Sequence, residues 1–233
     1  MLFERSQPKG HAVSLVSERK EVKMNYSHIV WDFNGTILDD LWAGIMSENV
    51  LLRRRGMPEF KILQQYYDVF CFPIKKYYEN LGYDFTNECY EDVADEWMKE
   101  YTCFSAFSPL KAGVREAVGH FKTLGLSQTI ISMSEVEIMK RQIASFEITS
   151  YFDEILGLDN NLAHSKLELA REWKDRIKPR KALMLGDTMH DIETAKVLDA
   201  DCILIAGGHQ SKECLMQCGV PVIDSAAQLL LLS

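Results

Sequence analysis

The run His28-Ile29-Val30-Trp31-Asp32-Phe33-Asn34-Gly35 constrains the fold of this chain more than any other stretch. A short, mostly apolar and β-prone segment leads straight into an aspartate, and a glycine follows where the backbone has to turn. That pattern fits a strand buried on both faces, as in a parallel sheet covered by helices. Ligands of such sheets bind at the carboxyl ends of the strands, which is where Asp32 falls. The pattern recurs in Leu185-Gly186-Asp187-Thr188-Met189-His190-Asp191-Ile192. Again an apolar strand ends in Gly and Asp, with a further aspartate one helical turn on. Adjacent strands lie about 4.8 Å apart, so if these two are neighbours, Asp32 and Asp187 can share one hard cation.

Between and beyond these runs the chain divides by periodicity. Residues 1–26 are polar and charged, broken by Pro8 and Gly10, and read as a flexible tail. Residues 41–108 contain no good strand. Leu41, Trp42, Ile45, Met46, Val50 and Leu52 give one helical face ended by Gly56 and Pro58, and further helices are predicted over 59–70, 73–81 and 87–104. From Pro109 onward helices alternate with strands at 128–132, 152–156, 182–185, 202–205 and 220–223, with a helix over the Leu-rich end. The expected fold is therefore α/β, a doubly wound parallel sheet built from 27–40 and 109–233, with an inserted α-helical cap at 41–108.

Composition narrows the function classes. A net charge of −8 speaks against a nucleic-acid surface, though a bound metal ion can still attract an anionic substrate. The six cysteines form no C-x-x-C pair, which fits reduced thiols in a cytoplasmic protein. No stretch approaches the roughly 20 apolar residues of a membrane span, and the amino-terminal segment lacks the apolar core of a secretory signal.

The two aspartate runs resemble the first and last motifs of the haloacid dehalogenase (HAD) superfamily, Asp-x-Asp-Gly-Thr-Leu/Val and Gly-Asp-x-x-x-Asp. The segment between the first and second motifs is similar to the cap of the phosphoglycolate phosphatase-like branch. The resemblance implies a Mg²⁺-dependent phosphohydrolase acting on a small phosphorylated metabolite through an aspartyl-phosphate at Asp32. It implies Mg²⁺ on Asp32, the backbone carbonyl of Asn34 and Asp187, with Asp191 steadying the metal waters or Lys166. Ser132, Met133, Lys166 and the backbone N–H groups of Phe33 and Asn34 would bind the phosphoryl oxygens. By itself, a serine after a strand such as Ser132 reads more often as a turn or cap residue. Lys166 opens a helix, where the helix dipole disfavours a cation, and that oddity fits a functional lysine.

Asn34 departs from the motif, because the family's phosphatases carry there the aspartate that protonates the leaving oxygen. An amide cannot exchange a proton near neutral pH. The sequence is thus compatible with a working hydrolase that uses a good leaving group or another proton donor, His190 or the cap among them. It is also compatible with a weak or inactive relative that binds phosphorylated ligands or a protein partner, or with another reaction on the same scaffold. Arg53-Arg54-Arg55 reads as a solvated helix end. Tyr66, Tyr67, Phe70, Phe72, Tyr77 and Tyr78 read as cap core or a subunit contact, and Gly207-Gly208-His209, after the last main strand, as an ordinary tight turn in preference to a lining of the cleft. His11, His28, His120 and His164 lack ligand-like partners at useful spacing.

Overall fold

The computed structural model describes residues 25–158 and 165–232, so the predicted tail up to residue 24, His11 and His164 lie outside the described residues. Tyr26, at the end of that tail, packs on the core and donates its hydroxyl to Asp201 Oδ2 at 2.7 Å. The first strand, β1 (His28–Trp31), is followed by helices α1 (Leu41–Arg54), α2 (Leu63–Val69), α3 (Ile74–Leu81) and α4 (Tyr90–Ser105) with no intervening named strand. Alternation then runs α5 (Val114–Thr123), β2 (Ser127–Glu135), α6 (Val136–Ser145), β3 (Glu154–Leu158), α7 (Lys166–Ile177), β4 (Ala182–Gly186), α8 (Met189–Leu198), β5 (Asp201–Ile205), α9 (Lys212–Leu215) and β6 (Val222–Ile223).

All six strands are parallel, in the order β3-β2-β1-β4-β5-β6. Successive side chains on a strand point to opposite faces, and the two cores follow that rule. Ile29, Trp31, Ile130, Leu183, Leu185 and Ile205 pack with α5 and α6 on one face. Val30, Ile131, Met184 and Leu204 pack with Ala170, Trp173, Ala195 and Leu198 of α7 and α8 on the other. The order reverses at β1, whose neighbours β2 and β4 carry the chain away in opposite directions. Such a switch point opens a crevice at the strand ends.

Helices α1 to α4 enclose a separate core of Leu51, Leu52, Tyr66, Tyr77, Tyr78, Tyr83 and Val93. The arginine run is not a free solvated end. Arg54 reaches Glu96 and Glu100 at 2.6 Å each, Arg55 reaches Glu88 at 2.5 Å and Glu96 at 2.7 Å, and Arg53 reaches Glu59 at 2.5 Å. These pairs tie the carboxyl end of α1 to α4 and the loops beside it.

Several boundaries differ from the sequence reading. The predicted helix over 59–70 begins at Leu63, and that over 87–104 begins at Tyr90. The strand expected over 152–156 lies at Glu154–Leu158, and that over 220–223 is reduced to two residues. The Leu-rich end is a 3₁₀ segment, Ala226–Leu231, rather than an α-helix. Strand β2 does not stop at Ser132 but continues to Glu135, with a register shift against β3 between Ile131 and Glu135. An irregularity of that kind re-aims side chains, and Ser132, Met133 and Ser134 sit inside it. No helix among the described residues is long and apolar enough to cross a membrane.

Candidate active site

The sheet brings the two aspartate runs together. Trp31 pairs with Leu185 in the β1–β4 ladder, and the Asp32 N–H continues it to the Leu185 carbonyl at 2.8 Å. Asp32 and Asp187 therefore leave neighbouring strand ends, and Asp191 follows on the first turn of α8. These three buried carboxylates could hold a metal ion: each offers an oxygen within 4.8 Å of the others.

Lys166, the first residue of α7, is buried and reaches into this cluster. Its Nζ donates to Asp32 Oδ1 and, at 2.6 Å, to Asp191 Oδ1. Asp191 Oδ2 accepts from the N–H groups of Asp187 and Thr188 at 3.1 and 3.0 Å and from the Thr188 hydroxyl at 2.9 Å. Both Asp191 oxygens are thus engaged, which makes it the group that fixes Lys166 and the β4–α8 turn. Among the described residues Asp187 accepts from neutral donors alone, the Thr36 hydroxyl at 3.1 Å and the His209 N–H at 2.6 Å. Gly35, at φ 69°, lets the loop after β1 pass so close that a Cβ there would overlap the Asp187 carboxylate.

The residues assigned to phosphoryl binding divide. Ser132 is buried at the β2 irregularity, with its hydroxyl 3.4 Å from Asn34 Oδ1. Met133 lies on the cleft wall, and its Sδ accepts from the Lys166 N–H at 3.1 Å. The Phe33 side chain turns away into the core, while its carbonyl closes the following turn by accepting from Ile37 and Leu38 at 2.8 and 2.9 Å.

The Asn34 side chain is held at both ends. Its Nδ2 donates to Asp40 Oδ2 at 2.8 Å and to the Tyr101 hydroxyl at 2.5 Å, and its Oδ1 accepts from Ser134 at 2.5 Å. Asp40, buried, also accepts from the Gly35 N–H at 2.6 Å, from Tyr101, and from His209 Nε2 at 3.4 Å. The sequence reading missed Asp40, Tyr101 and Ser134, and preferred a plain turn for the His209 segment that lines the cleft. The glycine pair before His209 was the available signal, since it lets the backbone press on Asp187: a Cβ on Gly208 would also overlap that carboxylate. Tyr66 and Tyr67 join this loop from α2, through Tyr66 Oη and His209 Nδ1 at 2.8 Å and through Tyr67 Oη donating to the Gly208 carbonyl at 3.1 Å.

The sequence model for haloacid dehalogenase-like hydrolases matches residues 29–205. The chain belongs to that family. A candidate pyrophosphatase, PpaX, from Caldanaerobacter subterraneus subsp. tengcongensis is 23% identical over 186 residues, covering 74% of this chain and 78% of that protein. Among solved structures, a predicted phosphatase from Clostridium acetobutylicum superposes with a TM-score of 0.70 at 19% identity, covering 88% of this chain and 96% of the other. Protein tyrosine kinase A (PtkA) from Mycobacterium tuberculosis superposes at 0.72 with 18% identity, again over 88% and 96%. At these identities the structural matches establish the shared fold.

The electrostatics of this HAD-family site favour a cation. Burial pushes the Asp32 carboxyl above the usual carboxylate range, with Asp191 and Asp187 adding to the effect and Lys166 opposing it. Burial also raises Asp187, against the pull of His209. Burial alone would lower Lys166, yet the adjacent Asp191 and Asp32 carboxylates hold it above its ordinary value. One ammonium faces three buried carboxylates, and a divalent ion would offset the remaining charge. The donor set is all oxygen, as Mg²⁺ requires. Asp40 is also buried, but His209, Tyr101 and Asn34 outweigh that and hold it below the usual carboxylate range.

The cleft above this floor measures about 720 Å³ and is closed on the far side by side chains of α2 to α4 and the loop before α3, Phe70, Phe72, Tyr77 and Trp97 among them. Phe72 stacks on His190 of α8, with ring centroids 5.1 Å apart.

Proposed function

We propose that this chain is a cytoplasmic Mg²⁺-dependent phosphohydrolase that acts on a small phosphorylated metabolite through an aspartyl-phosphate at Asp32. The observation that carries the reading is the Lys166 ammonium, fixed between Asp32 and Asp191 at the floor of the cleft, beside the Asp187 carboxylate on the next strand end. Asp32 and Asp187, with the Asn34 backbone carbonyl, would hold Mg²⁺, which when bound neutralises charge on the phosphoryl oxygens.

The chain's own residues do the remainder. An Asp32 oxygen attacks phosphorus in line, the bond from phosphorus to the leaving oxygen breaks, and water then hydrolyses the acyl phosphate and frees Asp32. Lys166 orients Asp32 and compensates charge, while Ser132 offers a hydroxyl at the cleft floor. Asn34 can donate a hydrogen bond but no proton. Leaving groups stable as anions are therefore the natural substrates, since general acid help is typically worth about 10²–10⁴ in rate.

The test is phosphate release from acetyl phosphate by the full chain with Mg²⁺, compared with EDTA-treated protein and with Asp32→Asn. Release abolished by both changes supports the reading. Absence of Mg²⁺-dependent release, or its survival in Asp32→Asn, overturns it. The clamped Asn34 carboxamide favours one second reading, a relative that binds phosphorylated ligands without turning them over; phosphate binding without release would select it.

A further inference from the structure

The cleft is much larger than a phosphate ion, and its volume of about 720 Å³ is that of a site for an organic ligand of ring-system size. Its wall opposite Asp32 is built from aromatic and thioether side chains, Phe70, Phe72, Tyr77, Trp97 and Met98. Its charges tell against a second anionic group. Among the described residues lining the cleft, Lys166 is the one lysine or arginine, and its ammonium is already held by Asp32 and Asp191. His190 Nδ1 is engaged with Glu193 at 2.8 Å, and His209 lies between Asp40 and Tyr66. The arginines of α1 are absent from the lining and are bound to glutamates. Asp32, Asp40 and Glu193 also line the cleft and would repel a distal carboxylate or phosphate. An anion carried into such a wall loses its water and finds no partner, whereas a planar ring gains burial and face or edge contacts.

We propose that the cleft selects phosphomonoesters of planar aromatic alcohols that carry no second anionic group, and discriminates against pyrophosphate and short phosphorylated carboxylic acids. The assignment rests on the phosphohydrolase reading for the seat of the phosphoryl group, and on the cap wall for the rest. It departs from pyrophosphate as the substrate, the chemistry in the name of the Caldanaerobacter relative.

Calorimetry on the full chain with saturating Mg²⁺ tests it, using two phosphonates that cannot be hydrolysed, benzylphosphonate and phosphonoacetate. Benzylphosphonate should bind at least tenfold more tightly. Trp97→Leu should remove most of that preference. Met98→Lys places a cation in the wall at a residue 41% exposed, and should tighten phosphonoacetate at least fivefold. Equal or inverted affinities, failure of both compounds to bind, or a Met98→Lys protein with unchanged selectivity would each overturn the assignment. Acetyl phosphate hydrolysis reports separately on the phosphohydrolase reading. An aryl preference without turnover removes that reading alone, and turnover without an aryl preference removes this one alone.

Discussion

The carboxamide of Asn34 and the carboxylate of Asp40 are hydrogen-bonded to each other, Nδ2 to Oδ2 at 2.8 Å, at the floor of the cleft. Tyr101 and His209 converge on the same carboxylate. The position that departs from the family motif is therefore integrated into a polar network, where an acid would meet a second acid.

Asn34→Asp sets a half-buried carboxyl group against the buried Asp40 carboxylate, and such a pair retains a proton because both cannot ionise cheaply. The variant should lose about 1–3 kcal/mol of stability at neutral pH, the usual cost of leaving a buried polar group without its partner. Asn34→Asp combined with Asp40→Asn restores one donor and one acceptor and should recover most of the loss in urea denaturation. The retained proton also lies where a leaving oxygen would need it. Turnover of poor leaving groups should then rise more than turnover of activated ones, and equal changes on both would remove the acid role from this position.

Lys166→Met leaves Asp32 and Asp191 buried without their shared cation. Breaking a buried pair in this way costs about 3–5 kcal/mol. The full loss is expected in EDTA, and excess Mg²⁺ should restore part of it by supplying charge to the same carboxylates. Thermal unfolding with and without Mg²⁺ measures both. A loss that is the same in EDTA and in Mg²⁺ would show that the ion does not bind beside Lys166.

Glu48, in α1, provides a pH signal remote from the sheet edge. Its Oε1 accepts from the Tyr83 hydroxyl at 2.7 Å, while Oε2 is buried with no hydrogen-bond partner among the described residues. Burial raises its carboxyl to about 7, against Tyr83 and Arg55, which lower it. The folded state thus holds this proton more tightly than the unfolded chain does. The corresponding stability is fully present below about pH 4.5 and is lost as pH rises through 7. Glu48→Gln keeps the shape and removes the charge. It should change little at pH 4.5 and stabilise the protein at pH 8 by at most about 3 kcal/mol, taking 1.36 kcal/mol per pH unit. Denaturation at the two pH values decides it, and an equal effect at both would place the cause elsewhere.

The parallel sheet was legible because buried strands and amphipathic helices write their periods into the sequence, and both aspartates end such strands; the strand order that makes β1 and β4 neighbours came only from the structure. Lys166 was legible as a cation at a helix start, where the dipole argues against it. Asp40, Tyr101 and Ser134 were not. Each is an ordinary residue type at an ordinary place, and only the reach of side chains across separate elements brings them to Asn34. The continuation of β2 through Ser132 was hidden for a related reason: the register shift is set by pairing with β3.

Gly208 separates a local defect at the candidate metal site from a general loss of stability. A methyl group at this position would overlap the Asp187 carboxylate, and the carboxylate also receives the next residue's N–H at 2.6 Å. Gly208→Ala must therefore rotate Asp187 or pull the loop from it. Loss of a ligand's supporting contacts typically costs 10–100-fold in metal affinity, and that is the expected fall in Mg²⁺ binding by calorimetry. Gly125→Ala is the matching control. Gly125 has φ 72° and open space where a Cβ would go, so the substitution strains the backbone without touching the site. It should cost about 1–2 kcal/mol of stability and leave Mg²⁺ affinity unchanged. If both variants weakened Mg²⁺ binding in proportion to their stability loss, Asp187 would not be the residue through which the glycine acts.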